Sequence, residues 1–123
     1  GGGPMYDRRP DVSDEDLGIR AFHIKRAKAV ERAIERIRHG LGPMWAELTD
    51  PEIEEIEWVL GELWTHMIRA EWEEVAFGRL TMGDLVRIMS LGSELRRHSR
   101  PSTEILHDVE KVVESHQSET PGS

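Results

Sequence analysis

The stretch from Thr49 to Phe77 leaves this chain few folds to adopt. It opens with Thr49-Asp50-Pro51-Glu52. Thr49 or Asp50 can cap a helix, and proline suits a first helical position because its missing N–H would be unbonded there anyway. Glu52, Glu54 and Glu55 lie where the positive helix terminus favours carboxylates. Ile53, Ile56, Leu60, Leu63 and Met67 then recur at three- and four-residue steps, which places them on one side of a helix. A second apolar line, Trp64, Ile68, Trp72 and Val75, runs beside the first. Two adjacent lines are wider than a two-helix seam needs, so this helix is expected between neighbours or in a subunit interface.

A helix of that kind needs a partner, and the preceding segment supplies one. Ser13-Asp14-Glu15-Asp16 is a capping pattern, and a helix is expected from about Asp14 to about His39. Ile19, Phe22, Val30, Ala33, Ile34, Ile37 and Leu41 fall on one side of it, and Lys25, Lys28, Arg32 and Arg36 form a ribbon on the other. Between Ile19 and His39 seven Lys and Arg stand against two carboxylates, a local charge of +5; between Glu47 and Glu74 ten carboxylates stand against Arg69, a local charge of −9. The two helices are thus an electrostatically matched pair. Gly40-Leu41-Gly42-Pro43 ends the first, because glycine accepts the left-handed conformation that closes a helix and proline cannot continue it. The connection to Thr49 is short, so an antiparallel hairpin is expected, with Trp45 plugging the end of the core.

Gly78-Arg79-Leu80 breaks the second helix, and Thr81-Met82-Gly83-Asp84 starts a third with Thr81 as cap. Leu85, Ile88, Met89, Leu91 and Leu95 give its apolar side, interrupted at Gly92-Ser93. That interruption raises a helix-turn-helix, with Leu91-Gly92-Ser93 as the turn and Arg96, Arg97, His98 and Arg100 on the reading helix. The spacing is imperfect, since Leu95 stands one position early and Pro101 stops the second helix after barely two turns. A broken amphipathic helix with a basic C-terminal end accounts better for the segment. Ser102 or Thr103 then caps a short last helix carrying Ile105, Leu106, Val109, Val112 and Val113. The expected organisation is all-α: a hairpin of two long helices with one or two shorter C-terminal helices in a small bundle. Residues 1–12 read as an appended leader and flexible lead, 13–114 as one helical domain, and 115–123 as a disordered tail.

The chain has no cysteine, which excludes disulfides, thiolate zinc sites and thiol nucleophiles together. No apolar run reaches the roughly 20 residues of a membrane span, and a cytoplasmic protein without membrane contact is expected. The net charge of −8 argues against a surface that coats nucleic acid uniformly. His23, His39 and His66 have no sequence partner that marks a triad, and no glycine loop has the spacing that cradles a phosphate. Glu104-x-x-His107 has the spacing of a di-iron bundle motif, with Glu71 or Glu74 as facing carboxylate and Glu62-to-His66 as a looser second pair, but a second such motif is missing.

These observations favour a non-enzymatic helical interaction and self-association module, an adaptor or regulator with no cofactor and no resident metal. Its expected partners are further copies of itself or another protein, contacted through Trp58, Trp64, Ile68 and Trp72. The alternative is a DNA-binding accessory or regulator, such as a phage DNA-packaging adaptor or a helix-turn-helix-like protein. It would use Lys25, Lys28, Arg32 and Arg36 with Arg96 and Arg97, because cations repeating along a helix can follow successive phosphates. Glu31 and Glu35 interrupt that ribbon, and no aromatic side chain lies within it to stack a base. A carboxylate/histidine metal-binding bundle is the third option.

Overall fold

Helix α1 (Asp14–Leu41) is followed by a 3-10 segment (Gly42–Glu47), α2 (Asp50–His66), α3 (Arg69–Glu74), a 3-10 turn (Phe77–Arg79), α4 (Met82–Arg97) and α5 (Ser102–Glu114). The structure is a computed structural model that describes residues 14–116. The expectations for the leader, for Ser13 as a cap and for most of the tail lie outside the described residues. Among the described residues no strand forms, and no helix is long and apolar enough to cross a membrane. The chain is a small all-helical bundle.

The helix ends follow from local chemistry. Gly42 takes φ +59°, the left-handed conformation, and Pro43 follows it. Thr49 and Glu52 form a reciprocal capping box: Thr49 N–H donates to Glu52 Oε1 at 2.8 Å, and Glu52 N–H donates to Thr49 Oγ1 at 3.3 Å. Thr81 and Asp84 repeat it at the start of α4, at 2.8 and 3.1 Å. The start of α5 differs from expectation, because Pro101 occupies the cap position and no side chain caps it.

The second long helix also differs. In place of one helix to Phe77, α2 stops at His66, and Met67 and Ile68 are extended, with ψ of 155° and 136°. On one continuous helix Phe77 would point about 140–160° away from Trp72 and Val75, which share a side. The break lets all three bury, at 3%, 1% and 2% exposure. Burying a large apolar side chain is worth about 1.5–3 kcal/mol, enough to outweigh one interrupted turn. The freed carbonyls are not orphaned: the Arg69 guanidinium donates to the backbone oxygens of Trp64 and Met67, and lies 3.6 Å from the Trp64 ring centroid. Trp72 and Phe77 then pack with ring centroids 4.8 Å apart.

Helix α2 lies between α1 on one side and the α4–α5 pair on the other. Most of its apolar face is covered from within the chain, with Ile56, Leu60, Leu63, Trp64 and Met67 all buried. Ile53 is half-buried, and Trp45 packs half-buried against the core between α1 and α2. Helix α4 runs without interruption through Leu91, Gly92 and Ser93, so the expected break and the helix-turn-helix turn are absent. Gly92 is a packing glycine: a Cβ there would stand 2.5 Å from Glu55 Oε2 and 2.6 Å from Val59 Cγ2. The helix ends instead at His98, which takes the left-handed conformation while Ser99 N–H donates to Glu94 O at 3.3 Å.

Candidate interaction surface

The tryptophans proposed as contact residues divide on burial. Trp64 and Trp72 are 4% and 3% exposed and belong to the core. Trp64 packs against Phe22 of α1, with ring centroids 5.2 Å apart. Trp58 is half-buried beneath the Arg96 guanidinium, which lies 3.9 Å from its ring centroid and 2.8 Å from Glu55. Of the four candidates, Ile68 alone is fully presented, at 64% exposure, because the break after α2 turns it outward. The wide apolar face of Thr49–Phe77 is therefore satisfied by neighbouring helices, and by itself gives no motive for a second subunit.

A different apolar surface does. Leu17, Ile19 and Ile24 of α1 are 51%, 47% and 54% exposed. On a helix advancing about 100° per residue, Leu17 and Ile24 lie roughly opposite the buried stripe of Val30, Ala33 and Ile37. They therefore point directly away from the core, where a helix in a monomer carries polar residues. Ala21 lies between them on the same face and is also exposed, and nothing within 4 Å surrounds the Cβ direction of Gly18. Half-buried Phe22 packs on Trp64 of α2, whereas Leu17 and Ile19 in the turn before it are exposed. Ile19, assigned by its spacing to the core side, is thus 47% exposed. The sequence signal for this surface was present, as Leu17-Ala21-Ile24 at four- and three-residue steps, but a stripe opposite the main one is hidden when residues are assigned to a single core face.

The basic ribbon is mostly unengaged. Arg26, half-buried, lies over Gly61 and pairs with Glu62 at 2.7 Å, the close contact between the basic and acidic helices. Arg32 reaches Glu73 at 3.9 Å with both side chains exposed, a pair of little energetic weight. Among the described residues Lys25, Lys28, Arg36 and Arg97 are exposed and form no ion pair, whereas Arg96 is held by Glu55 and Trp58. A groove of about 610 Å³ lies between α1 and α2, with Val30, Ile34 and Gly61 in its floor. Arg26 shares its rim with Glu31, Glu35 and Glu57, so it offers no field of one sign to an anion.

At the other end of α2 the carboxylates of Glu71, Glu110 and Glu114 gather within 4.8 Å of one another. His66 and His107 each approach Glu110, at 3.8 and 3.9 Å. Burial first, and then the neighbouring Glu110 and Glu71, push the Glu114 carboxyl above its ordinary value. Glu104 of the Glu-x-x-His motif does not join them and instead faces Arg100 at 4.0 Å. Arg100 also holds Glu94 at 2.9 Å and Asp108 at 3.0 Å, fastening α4 to α5. His116 and Asp84, 2.9 Å apart, do the same between the end of α5 and the start of α4. Burial works to raise the Asp84 pKa, but the Thr81 amide, then His116 and the Thr81 hydroxyl, hold it below the usual carboxylate value.

Comparison of the chain with protein-family models, with curated proteins and with solved structures gives no match.

Proposed function

We propose that this chain is a non-enzymatic helical interaction module that self-associates through the leading half of α1. The observation that carries this reading is the outward apolar stripe of Leu17 and Ile24, each more than half exposed on the side of the helix away from the core. Scattered exposed apolar residues are ordinary on soluble proteins. A regular stripe on one helix face is not scattered, and it is the kind of surface that a helical partner covers. Trp64 and Trp72 contribute by anchoring α1 and the 3-10 turn within the subunit rather than by contact with a partner. Sedimentation velocity over a wide concentration range tests the reading: a reversible oligomer is expected, and a monomer at the highest concentration refutes it.

A DNA-binding accessory is the second reading, and the exposed, unpaired Lys25, Lys28 and Arg36 are the observation that supports it. A gel shift that weakens steeply with salt is its expected signature. No shift at low salt removes it.

A further inference from the structure

We infer that His116 is a pH-dependent latch: its imidazole, seated on Asp84 at the capped start of α4, fastens the last turn of α5 more tightly in mildly acidic solution than in alkaline. The latch is independent of the surface through which the chain self-associates. Helix α5 buries Ile105, Leu106, Val109 and Val113, and among the described residues no buried apolar side chain follows Val113. What holds the end of the helix is polar. Ser115 N–H and Oγ both donate to Val112 O, at 3.2 and 2.8 Å. The Arg79 guanidinium donates to His116 O at 2.9 Å, and His116 Nε2 lies 2.9 Å from Asp84 Oδ2.

The chemistry of Asp84 decides which atom carries the proton. An ionised carboxylate only accepts hydrogen bonds, so Nε2 is the donor. The same Oδ2 accepts Thr81 N–H at 2.8 Å, and Asp84 N–H donates to Thr81 Oγ1 at 3.1 Å, so the capping box fixes the carboxylate that receives the imidazole. Asp84, held below the usual carboxylate value, is charged throughout the range in which a histidine ordinarily titrates. A neutral imidazole gives it one hydrogen bond, and an imidazolium adds the attraction of opposite charges. That added attraction is therefore present below the ordinary histidine value of about 6.5 and is lost as pH rises past it. At the acid end it disappears only as Asp84 itself protonates, below about 3.9. The 3-10 turn contributes Arg79, whose exposed side chain opposes the imidazolium weakly through water, and on α5 itself Glu114 turns to Glu71 and Glu110. The other histidines have no equivalent contact among the described residues. His66 and His107 stand 3.8 and 3.9 Å from Glu110, beyond hydrogen-bond length, and His23, His39 and His98 are exposed and form no ion pair.

A double-mutant cycle on the full chain, His116→Gln against Asp84→Asn, tests the latch through urea melts at about pH 5.5 and about pH 8 in the same salt. Glutamine keeps an amide donor and has no proton to lose in this range. The two side chains are 23% and 20% exposed, so solvent moderates the pair. A coupling of about threefold in the unfolding equilibrium constant is expected at the lower pH, falling below about 1.5-fold at the higher. Hydrogen exchange reads the contact locally and needs only wild type and His116→Gln. Protection of the Val113, Glu114 and Ser115 amides, relative to their intrinsic rates, should be greater at the lower pH in wild type and equal at both in the variant. A coupling that is absent at about pH 5.5, or equal at the two pH values, overturns the inference. So does a pH difference in protection that survives His116→Gln.

Discussion

Gly40 is the position where one added methyl group should do most damage. The sequence assigns it to punctuation at the end of a helix, yet it lies inside α1, which continues to Leu41. A Cβ at Gly40 would stand 2.1 Å from the carbonyl oxygen of Gly78 and 2.9 Å from its carbonyl carbon. Both are backbone atoms of the 3-10 turn whose neighbour Phe77 is 2% exposed, so neither can swing aside as a side-chain tip could. Relief requires α1 and the turn to separate by more than an ångström, disturbing the seat of Phe77. Overpacking a well-filled core costs about 1–3 kcal/mol, and replacing glycine by alanine within a helix returns at most about 1 kcal/mol. Placing the clash at the upper end, because the contact is backbone to backbone, gives a net loss near 2 kcal/mol for Gly40→Ala. For a domain of this size that lowers Tm by roughly 10 °C. Two companion variants calibrate the measurement. At Gly78 a Cβ meets only Arg36 O, at 3.6 Å, so Gly78→Ala should be near neutral. At Gly18 nothing lies within 4 Å, so Gly18→Ala should raise stability by about 0.5–1 kcal/mol. Urea and thermal melts of the three variants provide the test. If Gly40→Ala melts with or above wild type, the close approach of α1 to the 3-10 turn is not a packing constraint and the reasoning fails.

Asp84→Asn should cost about 1 kcal/mol at neutral pH, the usual worth of a helix cap. Asp84 has a depressed carboxyl, so its contribution is present above the ordinary aspartate pKa of about 3.9 and is lost as pH falls through the lower folded value. The stability gap between Asp84→Asn and wild type should therefore close in acid below about pH 4, and a gap that persists there refutes the assignment. Glu114 has the opposite sign: its raised carboxyl favours the protonated form, so folding is helped below the ordinary value of about 4.3 and hindered as pH rises through the folded pKa. Glu114→Gln should stabilise the protein at pH 7 by less than about 1 kcal/mol, given the partial solvation of the site, and should have no effect near pH 3. Arg96→Ala removes the guanidinium 3.9 Å from the Trp58 ring centroid, and should increase acrylamide quenching of tryptophan emission with a stability loss of about 0.5–1 kcal/mol. Quenching unchanged from wild type would show that Trp58 is covered by something else.

The all-helical class was legible because it rests on local signals. Thr49, one of two candidate caps, and Thr81 both cap their helices, each in a reciprocal box with Glu52 or Asp84. The apolar steps of Val30-to-Leu41 and Ile56-to-Leu63 all reach the core. The misread positions are those where tertiary contact overrides local preference. No residue near Met67 forbids a helix, and α2 stops there because Phe77 cannot share one face with Trp72 and Val75 on a straight continuation. Glycine misleads in the other direction. Gly92 reads as a break and is in fact a site where α4 comes close to α2, since the absence of a side chain can serve either a turn or a contact and the sequence alone does not distinguish them.

The charge balance of the two long helices misleads for a related reason, and its failure sharpens the functional question. A sum of +5 against −9 treats a helix as a point, whereas pairing depends on the direction each side chain faces. Lys25, Lys28 and Arg36 lie on the flank of α1 turned from the core, where the carboxylates of α2 cannot reach them. Glu55, on α2, is instead held by Arg96 of α4 at 2.8 Å. What the fold leaves uncompensated on the outer face of α1 is a run of cations beside the exposed Leu17 and Ile24. A phosphate backbone would satisfy the cations but would leave the two apolar side chains in water. A partner with an apolar surface would cover Leu17 and Ile24, which is why this face of α1 supports the proposed self-association ahead of nucleic acid.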